Sequence, residues 1–493
     1  MKQFEIPDEV RWITDKLKKS GYGAYIVGGC VRDLMLNRPP KDWDVATDAK
    51  PEEIQKLLSD TVYKNEFGTV GVKTGSKDSK LAIIEVTTFR KEEKYSDLRH
   101  PDKIEFTESI EEDLARRDFT INAIALDPNL RKSDFLSIVD PFGGQEDIKR
   151  KLIRAVGEPE KRFSEDALRL IRAVRFASEL GFRIEEKTAT AIKKSAKLLA
   201  VIAKERIRDE FTKIILASDK GPYNGMLQLE ELGLLEYFIP ELREGIGVAQ
   251  NKHHIYTVWD HNLLALDYAA SKNYSLEVRL ASLLHDVGKP RTKAGEGLDS
   301  TFYSHEIVGA KMTKVILTRL HFSSKIIEKV THLVRAHLFY YNVGEVTAAG
   351  VRRFLARVGE ENIEDLLKVR EADRIGSGVP KAFPYKLRHL KFMLEKVKAD
   401  PVSPKMLAVK GDEVMKILNI VPGPRIGWIL NILLEEVLDD PKKNSIKHQV
   451  SRIKQLGELT DEELKKIAEG SKKKKEEFEM GVEEEMKKKY YVR

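Results

Sequence analysis

Two aspartates one residue apart, Asp42 and Asp44, have the chemistry to bind a divalent cation. On an extended strand, residues i and i+2 point to the same side, so both carboxylates would face one space. Carboxylate pairs of this kind hold Mg²⁺ together with the phosphates of a substrate. The spacing therefore predicts a magnesium site that holds a nucleoside triphosphate.

A candidate phosphate-binding turn precedes these aspartates. Residues 24–27 are apolar and predict a short buried strand, which ends at Gly28 and Gly29. Glycines let the backbone approach a phosphate closely because they lack a Cβ atom. Residues 30–36 are predicted to begin a helix, whose first amide groups favour anions. Each feature alone is common in turns and solvated loops, but this order of features in one short stretch is not.

Further charged residues lie beside apolar runs. Arg117 and Asp118 are followed, a few residues later, by the apolar Ile121, Ala123 and Ile124. This predicts that the two charged residues pack against the core and do not lie on a solvated helix face. Glu85 lies within the apolar strand predicted at 81–86. It is either a third acidic ligand of the metal or a carboxylate at a sheet edge that faces solvent.

The segment 164–176 predicts one amphipathic helix with an apolar stripe. Arg169, Arg172 and Arg175 follow one another along its other side, which without context is typical of a basic face in solvent. On such a helix Asp166 and Arg169 stand three residues apart and share a face.

In order, these segments resemble the polymerase-β-like nucleotidyltransferases. The runs VGGCVRD at 27–33, KDWDVAT at 41–47 and RRDFTINA at 116–123 are similar to the class II tRNA nucleotidyltransferase and bacterial poly(A) polymerase branch. The resemblance covers the chain from about residue 20 to 185. It implies that Asp42 and Asp44 are catalytic and hold Mg²⁺.

The same resemblance implies roles for the remaining residues of the head. The second arginine of the family's R-R-D motif contacts the triphosphate, and its aspartate bonds to the sugar; here these residues are Arg117 and Asp118. The phosphates are expected to be held by Gly28, Gly29, Arg32 and Arg117.

The run EDALR at 165–169 is similar to the base-recognition motif of class II CCA-adding enzymes, in which side chains replace a nucleic-acid template. Cytosine and adenine both present an amine beside an unprotonated ring nitrogen, whereas uracil and guanine present a carbonyl and an N–H. A carboxylate accepts from the amine while a guanidinium donates to the ring nitrogen. The resemblance implies that Asp166 and Arg169 choose the base, and that Arg172 and Arg175 orient this pair or stack on the nucleotide.

Most histidines of the chain lie between residues 253 and 337. A lone His-Asp pair is more often a capped helix end than a ligand set, but here the order His…His-Asp…Asp resembles the HD metal-dependent phosphohydrolases. Imidazole and carboxylate ligands suit Mg²⁺ or a transition metal that activates water. Some members of the resembled family use such a domain as a 2′,3′-cyclic phosphodiesterase or phosphatase on RNA ends, and the intact ligand set favours a working centre over a relic. The implied ligands are His261, His285, Asp286 and Asp373, with His305 and His337 as candidates for a second metal.

The composition bounds what kind of chain must position these residues. With 493 residues, 41% of them hydrophobic and 33% charged, we expect a soluble, mostly helical protein of several domains. No apolar run approaches the roughly 18 residues of a membrane span. The single cysteine, Cys30, is predicted to be a packing residue; it excludes a disulfide framework and suits the cytosol. The net charge of +7 is too modest to indicate a nucleic-acid partner by itself.

The predicted fold is α+β, with a polymerase-β-like head followed by helical regions. The head is expected to be a small mixed sheet with helices, and the polar stretch 91–101 a mobile loop. The expected segments are a head at 1–145, a base-recognition neck at 146–205, a helical body at 206–248, an HD domain at 249–395 and a helical tail at 396–493.

The function expected from these features is template-independent addition or repair of the 3′-terminal CCA of tRNA from CTP and ATP in the cytoplasm, without an obligate protein partner. A CC-only enzyme, an A-only enzyme and a bacterial poly(A) polymerase share this chemistry. The 91–101 loop has its full length, which favours CCA addition, although LRHP at 98–101 departs from the family's usual pair of arginines before the proline. An alternative of another class is an HD RNA phosphohydrolase whose head only binds RNA.

Overall fold

The computed structural model describes residues 5–65, 68–93, 103–132, 135–251, 255–342, 345–378, 385–397 and 407–470. Most of the expected 91–101 loop and the Lys- and Glu-rich end from residue 471 lie outside these ranges. The described residues form two compact units: those up to Arg243 together with Arg319–Phe322, and those from Glu244 to Thr318 together with those from Ser323 onward.

The first unit contains a seven-stranded mixed sheet with the strand order β3-β4-β5-β2-β1-β8-β9. Only β2 and β5 run parallel; the other neighbouring pairs are antiparallel. Its strands are β1 Ala24–Val27, β2 Asp44–Thr47, β3 Thr61–Asn65, β4 Thr69–Lys73, β5 Ile83–Thr88, β8 Ala125–Lys132 and β9 Phe135–Val139, and two separate pairs are formed by β6 Arg90–Glu93 with β7 Lys103–Phe106 and by β10 Leu152–Ile153 with β11 Arg183–Ile184.

Two expectations about these strands are corrected. The predicted loop at 91–101 begins as a strand, because β6 pairs with β7 on the far side of the undescribed residues. Glu85 does not lie at a sheet edge, because β5 is paired on both sides, by β4 and by β2. Sequence alone could not supply these corrections, because strand order depends on pairings between distant segments.

In the described part of the first unit, eleven α-helices surround this sheet or follow it. The leading helix shows why they form: Val10, Ile13 and Leu17 are buried along one side of it, at helical spacing. The helices are α1 Asp8–Lys19, α2 Gly29–Met35, α3 Pro51–Leu57, α4 Ile110–Ala115, α5 Gly144–Arg150, α6 Pro159–Glu165, α7 Leu168–Leu180, α8 Glu186–Ser195, α9 Lys204–Ile215, α10 Gly221–Glu231 and α11 Pro240–Arg243.

The single helix predicted over 164–176 is wrong, because the chain breaks at Asp166. This residue has an extended backbone (φ −136°, ψ 105°) between α6 and α7. Its Oδ1 accepts a hydrogen bond from the amide of Leu168 at 3.0 Å, at the start of α7. Aspartate stabilises helix starts by such side-chain bonds and gains nothing comparable inside a helix. The hydrophobic period continues across the break and therefore hides it.

The second unit is built mainly of helices. A buried cluster that includes Val414, Ile432, Leu433 and Ile453 packs together the three helices that lie between residues 411 and 457. Residues 461–470 are also helical. The helices are α12 Val258–Ser271, α13 Leu276–Leu284, α14 Lys289–Thr292, α15 His305–Arg319, α16 Ser324–Ala336, α17 Ala348–Val358, α18 Glu360–Gly376, α19 Tyr385–Val397, α20 Gly411–Leu418, α21 Pro424–Asp439 and α22 Ile446–Gly457.

Two further expectations concern the membrane and the cysteine. Among the described helices, none combines the length and the apolar character needed to cross a bilayer. Cys30 is buried, and its thiol donates to the carbonyl of Val27 at 3.1 Å. Burial, together with the negative charge of Asp44, raises the pKa of Cys30 to about 12, so this side chain stays a neutral thiol. A thiol in that state packs as a small apolar group.

Candidate active site and metal centre

A cleft of about 770 Å³ in the first unit brings together every site residue predicted for the head and the neck. Strand ends of the sheet supply one part of its lining, and α7 and α9 supply another. The predicted residues that line it are Gly28, Gly29, Arg32, Asp42, Asp44, Arg117, Asp118, Asp166, Arg169, Arg172 and Arg175.

The first glycine of the turn is required by both backbone and space. Gly28 has φ +79°, a left-handed conformation that other residues rarely adopt. A Cβ atom there would lie 2.9 Å from Nη1 of Arg117 and 3.7 Å from Oδ2 of Asp44. Gly29 begins α2, and a Cβ atom on it would meet only Nη2 of Arg32, at 3.6 Å. The close approach predicted for the Gly-Gly turn is therefore found at Gly28.

The acidic side of the cleft is organised by two parallel strands. Asp44 begins β2, and Asp42, which precedes it, is exposed. Asp44 stands in register with Glu85 of β5, so these two side chains lie on the same face of the sheet. Carboxylate oxygens are the ligands that hard divalent cations take. Asp42 and Asp44 therefore fit a metal-binding role, whereas Glu85 shares a sheet face with Asp44 but is not among the residues that line the cleft.

A buried aspartate holds the two arginines of the Arg-Arg-Asp run. Asp113 Oδ1 lies 2.8 Å from Nη2 of Arg116, and its Oδ2 lies 3.3 Å from Nη2 of Arg117. Burial acts to raise the pKa of Asp113, but the charges of the two arginines outweigh it and hold that pKa below its usual value. Arg117 is thus fixed against Gly28 by a residue that sequence reasoning missed.

Asp118 connects the head to α7. Its Oδ2 accepts from Nε and Nη2 of Arg172 at 2.9 and 2.6 Å. Its Oδ1 accepts from the backbone amide of Phe119 at 2.8 Å and from the side-chain amide of Asn122 at 3.1 Å. Although burial opposes it, the charge of Arg172 holds the pKa of Asp118 far below its usual range. A sugar hydroxyl would have to share an oxygen with one of these donors, and the sugar-binding role of Asp118 stays a prediction.

The arginines of α7 do not form a solvated face. The Arg169 and Arg175 side chains are only 10% and 11% exposed. Arg169 does not pair with Asp166: it donates to Glu165 Oε2 at 2.7 Å and to the carbonyl of Arg116 at 3.1 Å. The two residues of the predicted base-recognition pair line one cleft, but each is held by a different partner.

Sequence reasoning also missed the residues that hold this face in place. Glu210 of α9 is buried, with Oε2 3.0 Å from Nε of Arg175 and Oε1 4.0 Å from Nη1 of Arg172. The ring of Phe176 lies 3.7 Å from the guanidinium carbon of Arg175 and 5.2 Å from that of Arg32. In the sequence, Arg206 and Glu210 of α9 stand four residues apart, which predicts that they share a side of a helix. That spacing does not indicate which residues they bind.

The second unit gathers the predicted HD ligands around one buried point. The Nε2 atoms of His261 and His285 lie 2.8 Å apart. Asp286 Oδ2 is 3.2 Å from the first of these nitrogens, and Asp373 Oδ1 is 3.3 Å from it. Two imidazole nitrogens that face each other at this distance need a proton or a cation between them. This donor set fits a divalent transition metal.

The remaining histidines face the other oxygen of the same aspartate. Oδ1 of Asp286 lies 3.3 Å from Nε2 of His305 and 3.7 Å from Nε2 of His337. The Nδ1 atoms of His285, His305 and His337 each lie 2.6 to 2.8 Å from a backbone carbonyl oxygen. Those contacts orient each Nε2 toward Asp286, as outer partners do in metal sites. Asp286 thus stands between two candidate ligand sets.

A buried lysine beside this cluster was not predicted. Nζ of Lys289 lies 2.6 Å from Asp286 Oδ2 and donates to Oε1 of Gln250, also at 2.6 Å. Burial lowers the pKa of His285, but the charges of Asp286 and Asp373 outweigh it and raise that pKa to about 10. Metal binding would have to displace this proton, so it should weaken as the pH falls.

Three family models match successive parts of the chain. They are "Poly A polymerase head domain" at residues 24–154, "Probable RNA and SrmB- binding site of polymerase A" at 181–246 and "HD domain" at 258–377. An A-adding tRNA nucleotidyltransferase of Deinococcus radiodurans is 35% identical over 427 residues, which cover 84% of this chain and 91% of that protein. The chain belongs to the tRNA nucleotidyltransferase family.

Other relatives support the same family. A CCA-adding enzyme of Limosilactobacillus fermentum is 33% identical over 456 residues, covering 92% of this chain and 97% of that protein. One from Ligilactobacillus salivarius is 47% identical over a shorter stretch of 236 residues, which spans 47% of this chain and 55% of the relative. The resemblance seen in the sequence motifs is thereby confirmed.

Solved structures give the fold. A Bacillus stearothermophilus CCA-adding enzyme in complex with CTP matches with a TM-score of 0.68 and 30% identity, covering 91% of this chain and 98% of that one. A Thermotoga maritima CCA-adding enzyme complexed with tRNA matches with a TM-score of 0.56 and 19% identity over 92% of this chain and 97% of that one, a likeness of fold alone. The predicted fold class, a mixed-sheet polymerase head followed by helical regions, is confirmed.

Proposed function

We propose that this protein adds or repairs the 3′-terminal CCA of tRNA, with CTP and ATP as its nucleotide substrates. The observation that carries the proposal is the single cleft that joins Asp42 and Asp44 to Asp166 and Arg169. Chemistry at the phosphates and choice of the base would then occur on one bound nucleotide. A relative that is named as a CCA-adding enzyme and aligns with 92% of this chain supports this proposal. So does a 30% identical CCA-adding enzyme whose structure was solved in complex with CTP.

The chain's own groups divide the work of nucleotidyl transfer. Asp42 and Asp44 would hold Mg²⁺, which supplies the Lewis-acid chemistry that activates the RNA 3′-hydroxyl and stabilises the leaving pyrophosphate. The backbone at Gly28 leaves room for the phosphates, and Arg117, fixed by Asp113, lies beside it to neutralise their charge. Arg32 also lines the cleft.

Base choice follows from hydrogen-bond chemistry at the neck. The carboxylate of Asp166 would accept from the amine of cytosine or adenine, and Arg169 would donate to the ring nitrogen. Uracil and guanine would present a carbonyl to the carboxylate and an N–H to the guanidinium. Sites built on hydrogen bonds reject such mismatches strongly, because buried polar groups are left unpaired.

The product is the open part of this proposal. The Deinococcus relative is named as A-adding, whereas the other relatives described above are named as CCA-adding. In this chain the 91–101 stretch keeps its full length, and CC-only members of the family are noted for a shortened loop there. We therefore propose CCA as the product over CC alone, over A alone and over a poly(A) tail.

A second activity is proposed for the HD cluster, because its histidines and aspartates are buried together and oriented by backbone contacts. Metal-dependent hydrolysis of phosphate esters at RNA ends, with 2′,3′-cyclic phosphate as the first candidate, fits this ligand set. Because the predicted site residues of the head meet in one cleft, we propose the HD activity beside nucleotidyl transfer and not in its place. The cytosol is the proposed location, and no obligate protein partner is expected.

The product is tested with three tRNA substrates. Their 3′ ends are the discriminator base alone, the discriminator base followed by C, and the discriminator base followed by CC. Labelled CTP should enter the first two, and labelled ATP should enter the third and complete all of them. Incorporation of ATP alone would replace our proposal with A-only addition, and long A tails would replace it with poly(A) synthesis.

Replacing Asp44 with alanine should remove addition of both C and A. The expected loss is at least about 1,000-fold, as when charge stabilisation at a reacting phosphoryl group is lost. Single-turnover rates with CTP and with ATP measure it, and Glu52→Ala on the exposed surface of α3 is the control. Near-normal transfer by the Asp44→Ala protein would exclude Asp44 as a metal ligand.

The HD cluster is tested by His285→Ala and Asp286→Ala. Both should abolish metal-dependent hydrolysis of 2′,3′-cyclic phosphate and leave nucleotide addition intact, whereas the exposed His448→Ala should change neither activity. Assays contain Mg²⁺, Mn²⁺, Ni²⁺ or Co²⁺ in turn. If the unmodified protein hydrolyses nothing with any of them, the second activity is wrong; circular dichroism identifies a variant that has simply unfolded.

Asp166→Ala should weaken base choice more than chemistry. Because the carboxylate accepts from C and A and repels the carbonyls of U and G, discrimination between CTP and UTP should shrink by about 1–3 kcal/mol. The measurement is kcat/KM for CTP, ATP, UTP and GTP on the same tRNA. An equal decrease for all four nucleotides would mean that Asp166 shapes the pocket without recognising the base.

A further inference from the structure

Asp166 is held in the cleft by a residue outside the sequence motif. Its Oδ1 is bound by the amide of Leu168, and its Oδ2 accepts from Nη2 of Arg206 at 3.0 Å. The two charged side chains are 24% and 18% exposed, so the contact is partly shielded from solvent. Since Asp166 lies between α6 and α7, its carboxylate takes its direction from these two donors and not from a helix surface.

The partner belongs to a helix that supports the whole base-recognition face. Arg206 and Glu210 lie one turn apart on α9 and share a side of it. Glu210 binds Arg175 at 3.0 Å and approaches Arg172 at 4.0 Å, while Arg206 binds Asp166. Two charged residues of α9, Arg206 and Glu210, are therefore counter-charges of charged groups at the start of α7 and along it. Arg206 also lines the cleft itself.

We propose that Arg206 is a second determinant of base choice, acting as a positioning residue through Asp166. This proposal rests on the function proposed above. Each carboxylate oxygen accepts from two directions. With one direction of Oδ2 taken by Arg206, the other is fixed toward the cleft, where the amine of a cytosine or adenine nucleotide supplies the second donor.

The same geometry gives Arg206 an effect of opposite sign once Asp166 is removed. A guanidinium is a donor only, so its released N–H groups match the carbonyl of uracil or guanine and oppose the amine of cytosine or adenine. Asp166 therefore suppresses a preference that Arg206 would otherwise express. The two residues are coupled, and their substitutions should not act additively.

The test compares Arg206→Ala, Arg206→Lys, Asp166→Ala and the double variant by kcat/KM for all four nucleotides. Arg206→Ala should lower the CTP/UTP ratio by about tenfold, the size of one base-edge contact. Arg206→Lys, which keeps the charge, should recover part of that ratio. Asp166→Ala alone should use UTP and GTP better than the double variant does, because only the former keeps the released guanidinium.

Arg208→Ala is the matched control, since Arg208 lies on the same helix but donates to Asp209 and to the carbonyl of His321, outside the cleft. It should leave the nucleotide ratios unchanged. An equal slowing of all four nucleotides by Arg206→Ala, or strictly additive effects in the double variant, would reduce Arg206 to a structural role. If the unmodified protein incorporates neither CTP nor ATP into tRNA, the proposed function itself fails, which is a different result from an unchanged ratio.

Discussion

The ion pair between Asp118 and Arg172 is the interaction on which the cleft depends. Nε and Nη2 of Arg172 both donate to one oxygen of Asp118, the pair connects the Arg-Arg-Asp run of the head to α7, and the aspartate is buried. A buried charge without a partner is costly, so the pair fixes the distance between the segment that would hold phosphates and the helix beside the base. The same logic repeats at Asp113 with Arg117 and at Glu210 with Arg175. Buried carboxylates thus fix the positions of Arg117, Arg172 and Arg175, which all line the cleft.

This arrangement explains which parts the sequence could predict. The strand, Gly28 and the two aspartates are local features, in which residue type and spacing suffice, and the structure places them in one cleft. The helix break at Asp166 was missed because the hydrophobic period runs through it. The roles of Arg206 and Glu210 were missed because an ion pair between distant segments leaves no trace in either segment alone. The sequence therefore predicted the residues of the local motifs, whereas the partners that hold those residues became visible only in the folded structure.

The HD cluster follows a different constraint. One carboxylate, Asp286, is shared between histidines on both of its oxygens, so its orientation must be fixed more tightly than that of the others. Lys289 contributes to that, and Gln250 in turn fixes Lys289. The ligands were predicted from the order His…His-Asp…Asp along the chain, which resembles that of the HD phosphohydrolases. Lys289 could not, because a lysine after a helix end is ordinary until its burial is known.

The proposed base-recognition contacts also limit which nucleotides the neck could distinguish. Asp166 and Arg169 would satisfy the edge that cytosine and adenine share, so contacts to that edge reject uracil and guanine but do not separate CTP from ATP. The choice between the two must use a property that differs between them, such as ring size or the RNA end already in the cleft. The difference between adding A and adding CCA therefore has to arise outside the Asp-Arg pair, in groups that sense how far the RNA has grown.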